Sequence, residues 1–179
     1  WHRAEYTFNQ TNAGAIVFQR QRPYESVSMG GMRYEYVKGS NLHWNVQQTF
    51  RFPQTDEWYS TANFPFFGIT PGINLNLNQQ TAIQYEAGVK HNFDDKALVS
   101  VTPYWIDSDD EIYFDPLAGS NSNYGKIRRR GVENEGRMDI HRFFPMEFID
   151  SLELITNYNF QDVRFVKGSN NKKFVPGVP

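Results

Sequence analysis

The chain contains no cysteine, which excludes a disulfide scaffold, thiolate metal sites and a cysteine nucleophile. It also lacks a surplus of either charge, since 18 Lys and Arg stand against 20 Asp and Glu, whereas nucleic-acid-binding domains carry a basic surplus on one face. No apolar run approaches the roughly 18 residues that a membrane-spanning helix needs. We therefore expect no nucleic-acid partner and no membrane-spanning helix.

Strong helix formers are scarce as well. Ala and Leu together number 15, whereas Val, Ile, Thr and the aromatic residues number 60, and pleated sheets select this second group. Asn and Gln add 26 residues, and the mean hydropathy is −0.64. A low average does not exclude a membrane β-barrel, because alternate residues of each strand face the lumen and the lipid. The composition predicts an all-β fold.

Period-two alternation divides the chain into long strands. The predicted strands are 14 to 22, 25 to 37, 43 to 52, 57 to 66, 83 to 93, 97 to 107, 124 to 140 and 152 to 161, with 1 to 10 as a further candidate. About eight or nine strands are expected in one antiparallel up-and-down meander, several of them longer than the roughly 5–6 residues usual in globular sheets. One face should carry Trp44, Val46, Phe50, Ile83, Tyr85, Val89, Leu152, Leu154 and Phe160. The other should carry Arg33, Glu35, Arg51, Glu86, Lys90 and Glu133, which are expected to exchange ion pairs across strands.

Short and mostly longer links alternate along the chain. Short links are predicted at 22 to 24, 53 to 56 and 94 to 95, with a somewhat longer one near 141 to 150. The links rich in Gly, Asn, Ser and Asp lie at 38 to 42, 67 to 80, 108 to 123 and from 166 onward. A meander with one elaborated rim has this pattern, as in outer-membrane barrels. The links at 22 to 24, 53 to 56 and 94 to 95 should therefore share one rim, and those at 38 to 42, 67 to 80 and 108 to 123 the other. A soluble antiparallel meander is the alternative.

Two groups of acidic residues suggest sites, and each also has a plainer explanation. Glu133 and Glu135 share a strand face at a spacing that could serve glycoside hydrolysis. Arg129, Arg137 and charges from neighbouring strands can instead neutralise them, and no catalytic residue is assigned. The acidic run 107 to 111 invites a calcium site, yet it does not meet the EF-hand spacing. No metal ligand is assigned.

The densest positive run is Arg128-Arg129-Arg130. By alternation Arg129 shares the face of Glu133, while Arg128 and Arg130 point to the opposite face near the predicted outer rim. There the two side chains could meet lipopolysaccharide phosphates, which suit the guanidinium fork, or could simply be hydrated. Both interpretations stay open.

Several motifs occur in an order that matches a known family. They are Ala15-Ile16-Val17-Phe18-Gln19, Met29-Gly30-Gly31-Met32-Arg33-Tyr34-Glu35, Leu75-Asn76-Leu77, Tyr85-Glu86-Ala87-Gly88-Val89-Lys90, Tyr104-Trp105-Ile106-Asp107, Gly125-Lys126-Ile127-Arg128-Arg129-Arg130-Gly131-Val132-Glu133, Tyr158-Asn159-Phe160 and Val175-Pro176-Gly177-Val178-Pro179. In this order and spacing they resemble the barrel of TonB-dependent outer-membrane receptors, the transporters of ferric siderophores, cobalamin and related scarce ligands. The segment 63 to 71 looks somewhat like the corresponding region of ferric-citrate-type receptors.

The resemblance implies a large transmembrane β-barrel of 22 strands, plugged by an N-terminal domain. The chain begins at Trp1 without an initiator Met, and residues 1–179 are expected to be a single segment of that barrel, with the plug domain and the remaining strands absent. The resemblance implies the outer membrane of a Gram-negative bacterium, with outer-membrane lipid and lipopolysaccharide around the barrel. It also implies import of a chelated metal, such as a ferric siderophore, or a similar scarce nutrient, energised by the TonB complex through the missing plug. Neither an enzyme activity nor a cofactor is implied.

Within that implied barrel the ligand would meet the outer loops 67 to 80 and 108 to 123 and the polar side chains of the lumen. The candidate ligand-binding residues are Arg33, Arg51, Glu86, Arg129 and Glu133. The alternative function is a soluble or secreted all-β module that binds carbohydrate or another ligand through exposed aromatic side chains. Solution behaviour separates the two functions, because an exposed lipid-facing surface aggregates without detergent.

Overall fold

The computed structural model describes the backbone of residues 2–3, 6–12, 15–21, 24–60, 72–74, 76–115, 120–145, 147–167, 173 and 175. Its elements, in chain order, are β1 (His2–Arg3), β2 (Tyr6–Asn12), β3 (Ala15–Gln21), β4 (Tyr24–Glu25), β5 (Met29–Val37), β6 (Ser40–Arg51), α1 (Thr55–Trp58), β7 (Tyr59–Ser60), β8 (Gly72–Ile73), β9 (Gln80–Phe93), β10 (Ala97–Asp109), β11 (Glu111–Asp115), β12 (Ser120–Tyr124), β13 (Ile127–Asp139), α2 (Ile140–Phe143) and β14 (Glu153–Phe165). No helix in these residues is long and apolar enough to cross a membrane.

Six long strands form one antiparallel sheet in the order β14-β13-β10-β9-β6-β5. Every neighbour in that order is also the next long strand along the chain, so the sheet is the up-and-down meander that the sequence predicts, although it contains six of the described strands rather than eight or nine. The strands hold between 9 and 14 residues, and a strand of about 9–11 residues crosses a membrane. The shorter strands pair as β1–β4, β2–β3, β7–β8 and β11–β12.

The register confirms the predicted division of the long strands into two faces. Val46 lies opposite Tyr85, and Tyr85 lies opposite Trp105, so large apolar side chains form continuous rows across the sheet. We call this the apolar face; its large side chains remain exposed, among them Met32, Leu42, Trp44, Ile83, Tyr85, Val99, Leu154, Tyr158 and Phe160. One residue further along each strand, Asn45, Glu86 and Tyr104 form a row of the opposite, polar face. Leu152, which we predicted for the apolar face, precedes the first residue of β14.

The strands are joined at two rims. At the turn rim, residues 38–39, 94–96 and 140–152 connect successive strands, and the tight turns use the left-handed conformation at Gly39, Asp94 and Asp95. At the loop rim, residues 52–79 connect β6 to β9, and residues 110–126 connect β10 to β13. Arg51 pairs with Gln80, and Ser108 pairs with Ile127. In both cases the chain therefore leaves the sheet and returns to it at the same rim.

The predicted rims are therefore wrong for two links. The link at 38 to 42 lies at the turn rim with 94 to 95, and the link at 53 to 56 lies at the loop rim with 108 to 123. The cause is the predicted strand at 57 to 66, whose described residues form the end of α1 and the two-residue strand β7 and do not belong to the six-stranded sheet. Residues 61–71, like the predicted turn at 22 and 23, lie outside the described residues.

The buried apolar side chains of the described residues gather at the loop rim. Trp58, Leu77 and Ile112 form one cluster, and Trp58 is 1% exposed. A second cluster contains Ile127, Val163, Phe165 and Val175, with Tyr113 and Tyr124 packed against it. Ile127, Val163 and Phe165 belong to the polar-face register of β13 and β14, so the hairpin β11–β12 packs on the polar face of the sheet. Burying these side chains holds the rim segments against the sheet.

Candidate functional site

The centre of the polar face carries a group of uncharged and acidic side chains. We call it the polar patch; it comprises His43, Glu86, Ser100, Thr102, Tyr104, Glu133, Glu135, Asn157 and Asn159. Two adjoining depressions of about 560 Å³ and about 220 Å³ are lined by these residues and share Thr102, Glu133 and Asn159. Strands β6, β9, β10, β13 and β14 each contribute, because alternate residues of a strand point to the same face.

Amide groups orient one carboxylate of the polar patch. Asn45 Nδ2 and Gln84 Nε2 each donate a hydrogen bond of 3.1 Å to Glu86. Within the described residues, no Lys or Arg forms an ion pair with Glu86, Glu133 or Glu135. The polar patch therefore presents carboxylate and amide oxygens toward the open side of the sheet.

Two glycines make room for the larger side chains of the polar patch. A Cβ at Gly88 would lie 2.6 Å from His43 Nε2 and 2.7 Å from Thr102 Oγ1, so the His43 ring crosses the strand where Gly88 has no side chain. A Cβ at Gly131 would lie 2.6 Å from the Tyr104 hydroxyl oxygen. Both positions thus require glycine, because a neighbouring ring occupies the space and is joined by the Thr102 hydroxyl at Gly88 and by the Phe160 backbone carbonyl at Gly131.

Asparagine side chains join the two segments of the loop rim. Asn121 Nδ2 donates to the Glu57 carbonyl at 2.8 Å, and Asn74 Nδ2 donates to the Asn121 carbonyl at 2.6 Å. Asn123 Oδ1 accepts from the Asn78 backbone N–H at 2.7 Å, and its Nδ2 donates to the Asn78 carbonyl at 3.1 Å. We call the joined segments, residues 52–60, 72–79 and 110–126 as far as they are described, the rim unit.

A half-buried ion pair attaches the rim unit to the sheet. Arg129 reaches from β13 to both carboxylate oxygens of Glu111 and also donates to Ser108 Oγ at 3.2 Å. Burial works to raise the pKa of Glu111, but the hydrogen bonds from Arg129 and Tyr113 outweigh it and hold that pKa below its usual range. Burial and the Glu111 carboxylate raise the pKa of Tyr113 to about 12. Glu111 is therefore ionised and Tyr113 neutral at physiological pH.

Comparison with known proteins identifies the family. The model of the TonB-dependent receptor-like β-barrel matches residues 3–179. The chain belongs to this family. Among solved structures it is similar to a protein described as the copper transporter OprC, with a TM-score of 0.64 and 16% sequence identity. The match covers 99% of this chain and 27% of that chain, so the chain spans about a quarter of that transporter, and at this identity the likeness concerns the fold.

This segment of a TonB-dependent receptor barrel brings together some of the predicted ligand-binding residues. Glu86 and Glu133 line the same depression. Arg51 and Arg129 lie near the loop rim, where Arg51 Nη1 is 2.7 Å from Glu57 Oε2 and Arg129 binds Glu111. Arg33 lies on the strand β5, opposite His43. Ligand binding by these five residues stays a prediction.

The ion pairs of the polar face differ from the expected ones. In the described part of the chain, none of the six charged residues predicted to pair across strands forms an ion pair with another of them, and Arg51 pairs with Glu57 on α1 instead. The expectation that Arg129 and Arg137 neutralise Glu133 and Glu135 is wrong, because Arg129 binds Glu111 and Arg137 Nε lies 2.6 Å from Glu153. Neither arginine therefore contacts Glu133 or Glu135, and the two carboxylates remain part of the polar patch.

The acidic run 107 to 111 faces cations of the barrel itself. Asp107 and Asp109 lie 3.5 Å and 3.8 Å from Lys126 Nζ, and Glu111 binds Arg129. In the described part of the chain, no group of three or more His, Asp or Glu side chains has a metal-binding arrangement. These carboxylates stabilise the ends of β10 and β13 at the loop rim and the attachment of the rim unit.

Sequence reasoning assigned no role to His43, Thr102 and Asn157. All three lie in the polar patch beside Glu133 and Glu135. The alternation of the strand already places His43 on the same face as Asn45 and Arg51, and this pattern was the signal that could have identified His43. What alternation could not give was the register, which sets His43 beside Thr102 although 59 residues separate them in sequence.

Proposed function

We propose that the chain forms one sector of an outer-membrane receptor barrel, in a Gram-negative bacterium, that imports a chelated metal or a similar scarce nutrient. The observation that carries the proposal is the division of the long strands into an apolar face with exposed large side chains and a polar face with open depressions. Such a wall suits lipid on one side and an aqueous lumen on the other. Family membership supports the same function.

The ligand enters past the rim unit and meets the polar patch. Glu86 and Glu133 are its proposed contacts in the lumen, with Arg33 at the neighbouring strand. Because Arg51 and Arg129 are occupied by ion pairs, the free charges of the polar patch are carboxylates, and they favour hydrogen-bond donors or cationic groups on the ligand. The chelated metal can be iron, as in a ferric siderophore, or copper, which the name of OprC suggests.

Import by this receptor makes and breaks no covalent bond, so the segment needs neither catalytic residues nor a cofactor. Energy reaches the barrel from the TonB complex through a plug domain that these residues do not include. Outer-membrane lipid covers the apolar face. The role of the segment is to form a wall, to present the polar patch and to hold the rim unit over the lumen.

Labelling from outside intact cells tests the orientation. In the parent protein, a single Cys at Gln54 or Asn76, both exposed at the loop rim, should react with a membrane-impermeant maleimide. A Cys at Asp95, exposed at the turn rim, should react only after permeabilisation, because the sheet separates the two rims by a full membrane crossing. The reverse pattern would place the rim unit in the periplasm, and labelling of all three in intact cells would show that the sheet does not span the membrane.

Uptake measurements test the ligand site. The double variant Glu86→Gln with Glu133→Gln should raise the KM for uptake about tenfold, since hydrogen bonds to charged groups contribute about 1.5–3 kcal/mol. Radioactive iron and copper, each supplied as its citrate chelate, serve as probes in cells that carry the parent protein and in cells that lack it. The matched control, Glu147→Gln with Asp150→Asn, changes two exposed acids of the turn rim and should leave the KM unchanged. Equal effects of both double variants would remove the polar patch from the ligand path.

A further inference from the structure

A compact group of charged side chains lies on the apolar face where it meets the loop rim. We call it the basic rim cluster; its members are Lys126, Arg128, Arg130, Arg164, Asp107, Asp109 and Asp162. The cross-strand register places Asp107 opposite Arg128, and Arg128 opposite Arg164. One pair further from the rim, Arg130 lies opposite Asp162. The cluster thus spans three adjacent strands on the side of the sheet that faces lipid.

Its contacts give the cluster a defined geometry. Arg128 donates to both oxygens of Asp107 at 2.8 Å and 3.1 Å, and its guanidinium carbon lies 4.4 Å from the ring centre of Trp105. Lys126 shares Asp107 with Arg128. Arg130 and Arg164 share Asp162 at 3.0 Å and 2.9 Å. Carboxylates and the indole ring therefore hold the guanidinium groups in fixed positions.

The cluster ends sharply at the apolar belt. The next positions of the same face, moving away from the loop rim, are Trp105, Val132 and Phe160. Among these three residues Trp105 is of the type that is enriched at the level of the lipid headgroups in membrane proteins. The charged groups therefore lie at headgroup depth, and the hydrocarbon begins directly below them.

The same level of the neighbouring strands carries no charge. On β6 and β9 the corresponding positions are Gln48, Phe50, Thr81 and Ile83. Along the apolar-face positions of the six long strands, the Lys, Arg, Asp and Glu side chains that the structure describes all belong to the basic rim cluster. A uniform ring of snorkelling side chains would appear on every strand, so this confined cluster has a different role.

The cluster carries more cationic than acidic groups. Lys126, Arg128, Arg130 and Arg164 face three carboxylates, and the side chain of Arg130 remains 55% exposed. Asp107 is shared by Lys126 and Arg128, and Asp162 is shared by Arg130 and Arg164, so the carboxylates that the structure describes here are fewer than the cations. A guanidinium matches the geometry of a phosphate with two parallel hydrogen bonds. The site thus offers positive charge and oriented donors at the depth where lipid phosphates lie.

We propose that the basic rim cluster binds the phosphate groups of an anionic lipid in the leaflet next to the loop rim. The lipid headgroup lies against Arg128 and Arg130, and its chains extend along Trp105, Val132 and Phe160. This proposal rests on the part of the proposed function that places the apolar face in lipid and the loop rim outside. A lipid held there would sit directly behind Arg129, which attaches the rim unit to the sheet.

The test uses the full-length receptor purified in detergent and titrated with bisphosphorylated lipid A, with bound lipid counted by native mass spectrometry. The double variant Arg128→Gln with Arg130→Gln should bind the lipid about thirtyfold more weakly, since each basic residue near a membrane surface contributes a factor of about five. The variant leaves Lys126 beside Asp107 and Arg164 beside Asp162, so neither carboxylate loses every cation. Asp162→Asn should bind the lipid more tightly, which a misfolded protein would not do.

Three comparisons decide the outcome. Arg142→Gln removes an ion-paired arginine of the turn rim that is as exposed as Arg130, and it should leave lipid binding unchanged. A similar loss of lipid binding in this variant would mean that only the net charge of the protein matters, which would overturn the proposal. Dephosphorylated lipid A should bind weakly, and equal binding would overturn the role of phosphate. Inorganic phosphate that displaces the lipid at millimolar concentration would make the cluster a free-anion site instead. Maleimide labelling of Cys variants at Gln54 and Asp95 in intact cells shows separately whether the orientation holds.

Discussion

Replacing Val101 by lysine should remove most of the folded receptor from the outer membrane. Val101 lies in the middle of the apolar-face residues of β10 and pairs with Val89 and Asn134. A lysine on the lipid face of a barrel costs about 2–4 kcal/mol at the bilayer midplane. That cost acts at the step in which the barrel inserts into the membrane, so the unfolded variant should be degraded. The measurement is the fraction of receptor that shows the heat-dependent gel shift of a folded barrel.

The neighbouring position supplies the control. Thr102→Lys changes the adjacent residue of the same strand, whose side chain lies in the polar patch beside Glu133. A lysine there meets water and a carboxylate, so the folded fraction should stay close to that of the parent. Tolerance of Val101→Lys would contradict a lipid-facing apolar face. A larger loss for Thr102→Lys would mean that the two faces are exchanged.

Replacing Arg129 by methionine should detach the rim unit and reverse its response to pH. The change leaves the Glu111 side chain, which is 10% exposed, without its guanidinium partner. Removing one partner of a buried pair costs about 3–5 kcal/mol. We expect limited proteolysis to cut within residues 110–126 of the variant much faster than in the parent at neutral pH.

The pH response follows from the pKa of Glu111. In the parent this pKa is lowered. Glu111 therefore stabilises the rim unit at pH values above its ordinary pKa, and this stabilisation is lost as the pH falls through the lowered pKa. In the variant the hydrogen bonds from Tyr113 and Ser108 remain, but Arg129 no longer opposes burial, which is the largest single influence on Glu111 and raises its pKa. The rim unit of the variant should then be most resistant at acidic pH and lose resistance as the pH rises.

Two further variants make this result specific. Arg129→Met combined with Glu111→Gln should recover much of the resistance, because a neutral amide costs less to bury than a carboxylate. Arg137→Met breaks an exposed pair with Glu153 at the other rim, and such pairs contribute about 0–1 kcal/mol. If Arg137→Met exposed residues 110–126 as strongly as Arg129→Met, the Arg129–Glu111 pair would not be what anchors the rim unit.

The strands and their faces could be predicted from sequence because the signal is local. Val46 and Asn45 are adjacent, and in any strand adjacent side chains point to opposite faces. The same argument places Glu86 and Tyr85 correctly without knowledge of their partners. It also places Arg129 on the polar face and Arg128 and Arg130 on the apolar face, as their ion pairs show.

The rims and the ion pairs could not be predicted because they depend on distant residues. Trp58 belongs to a segment rich in aromatic residues that resembles a strand, but it packs against Leu77 and Ile112 in the rim unit. In a meander each strand carries the chain from one rim to the other. The strand wrongly predicted at 57 to 66 therefore placed the links at 53 to 56 and at 38 to 42 at the wrong rim. The choice of Glu111 by Arg129 likewise depends on how the hairpin β11–β12 folds back on the sheet, which no local pattern records.

The asparagine contacts of the rim unit have a consequence for the exchange of loops between receptors. Asn121 and Asn123 bind backbone groups that belong to the other segment, at Glu57 and Asn78, and β9 and β10 lie between the two insertion points. A graft that transplanted only residues 110–126, or only residues 52–79, would bring half of a matched pair and leave backbone polar groups without partners. The two stretches form one transplantable module, and ligand specificity in this sector is expected to diverge by their coordinated replacement.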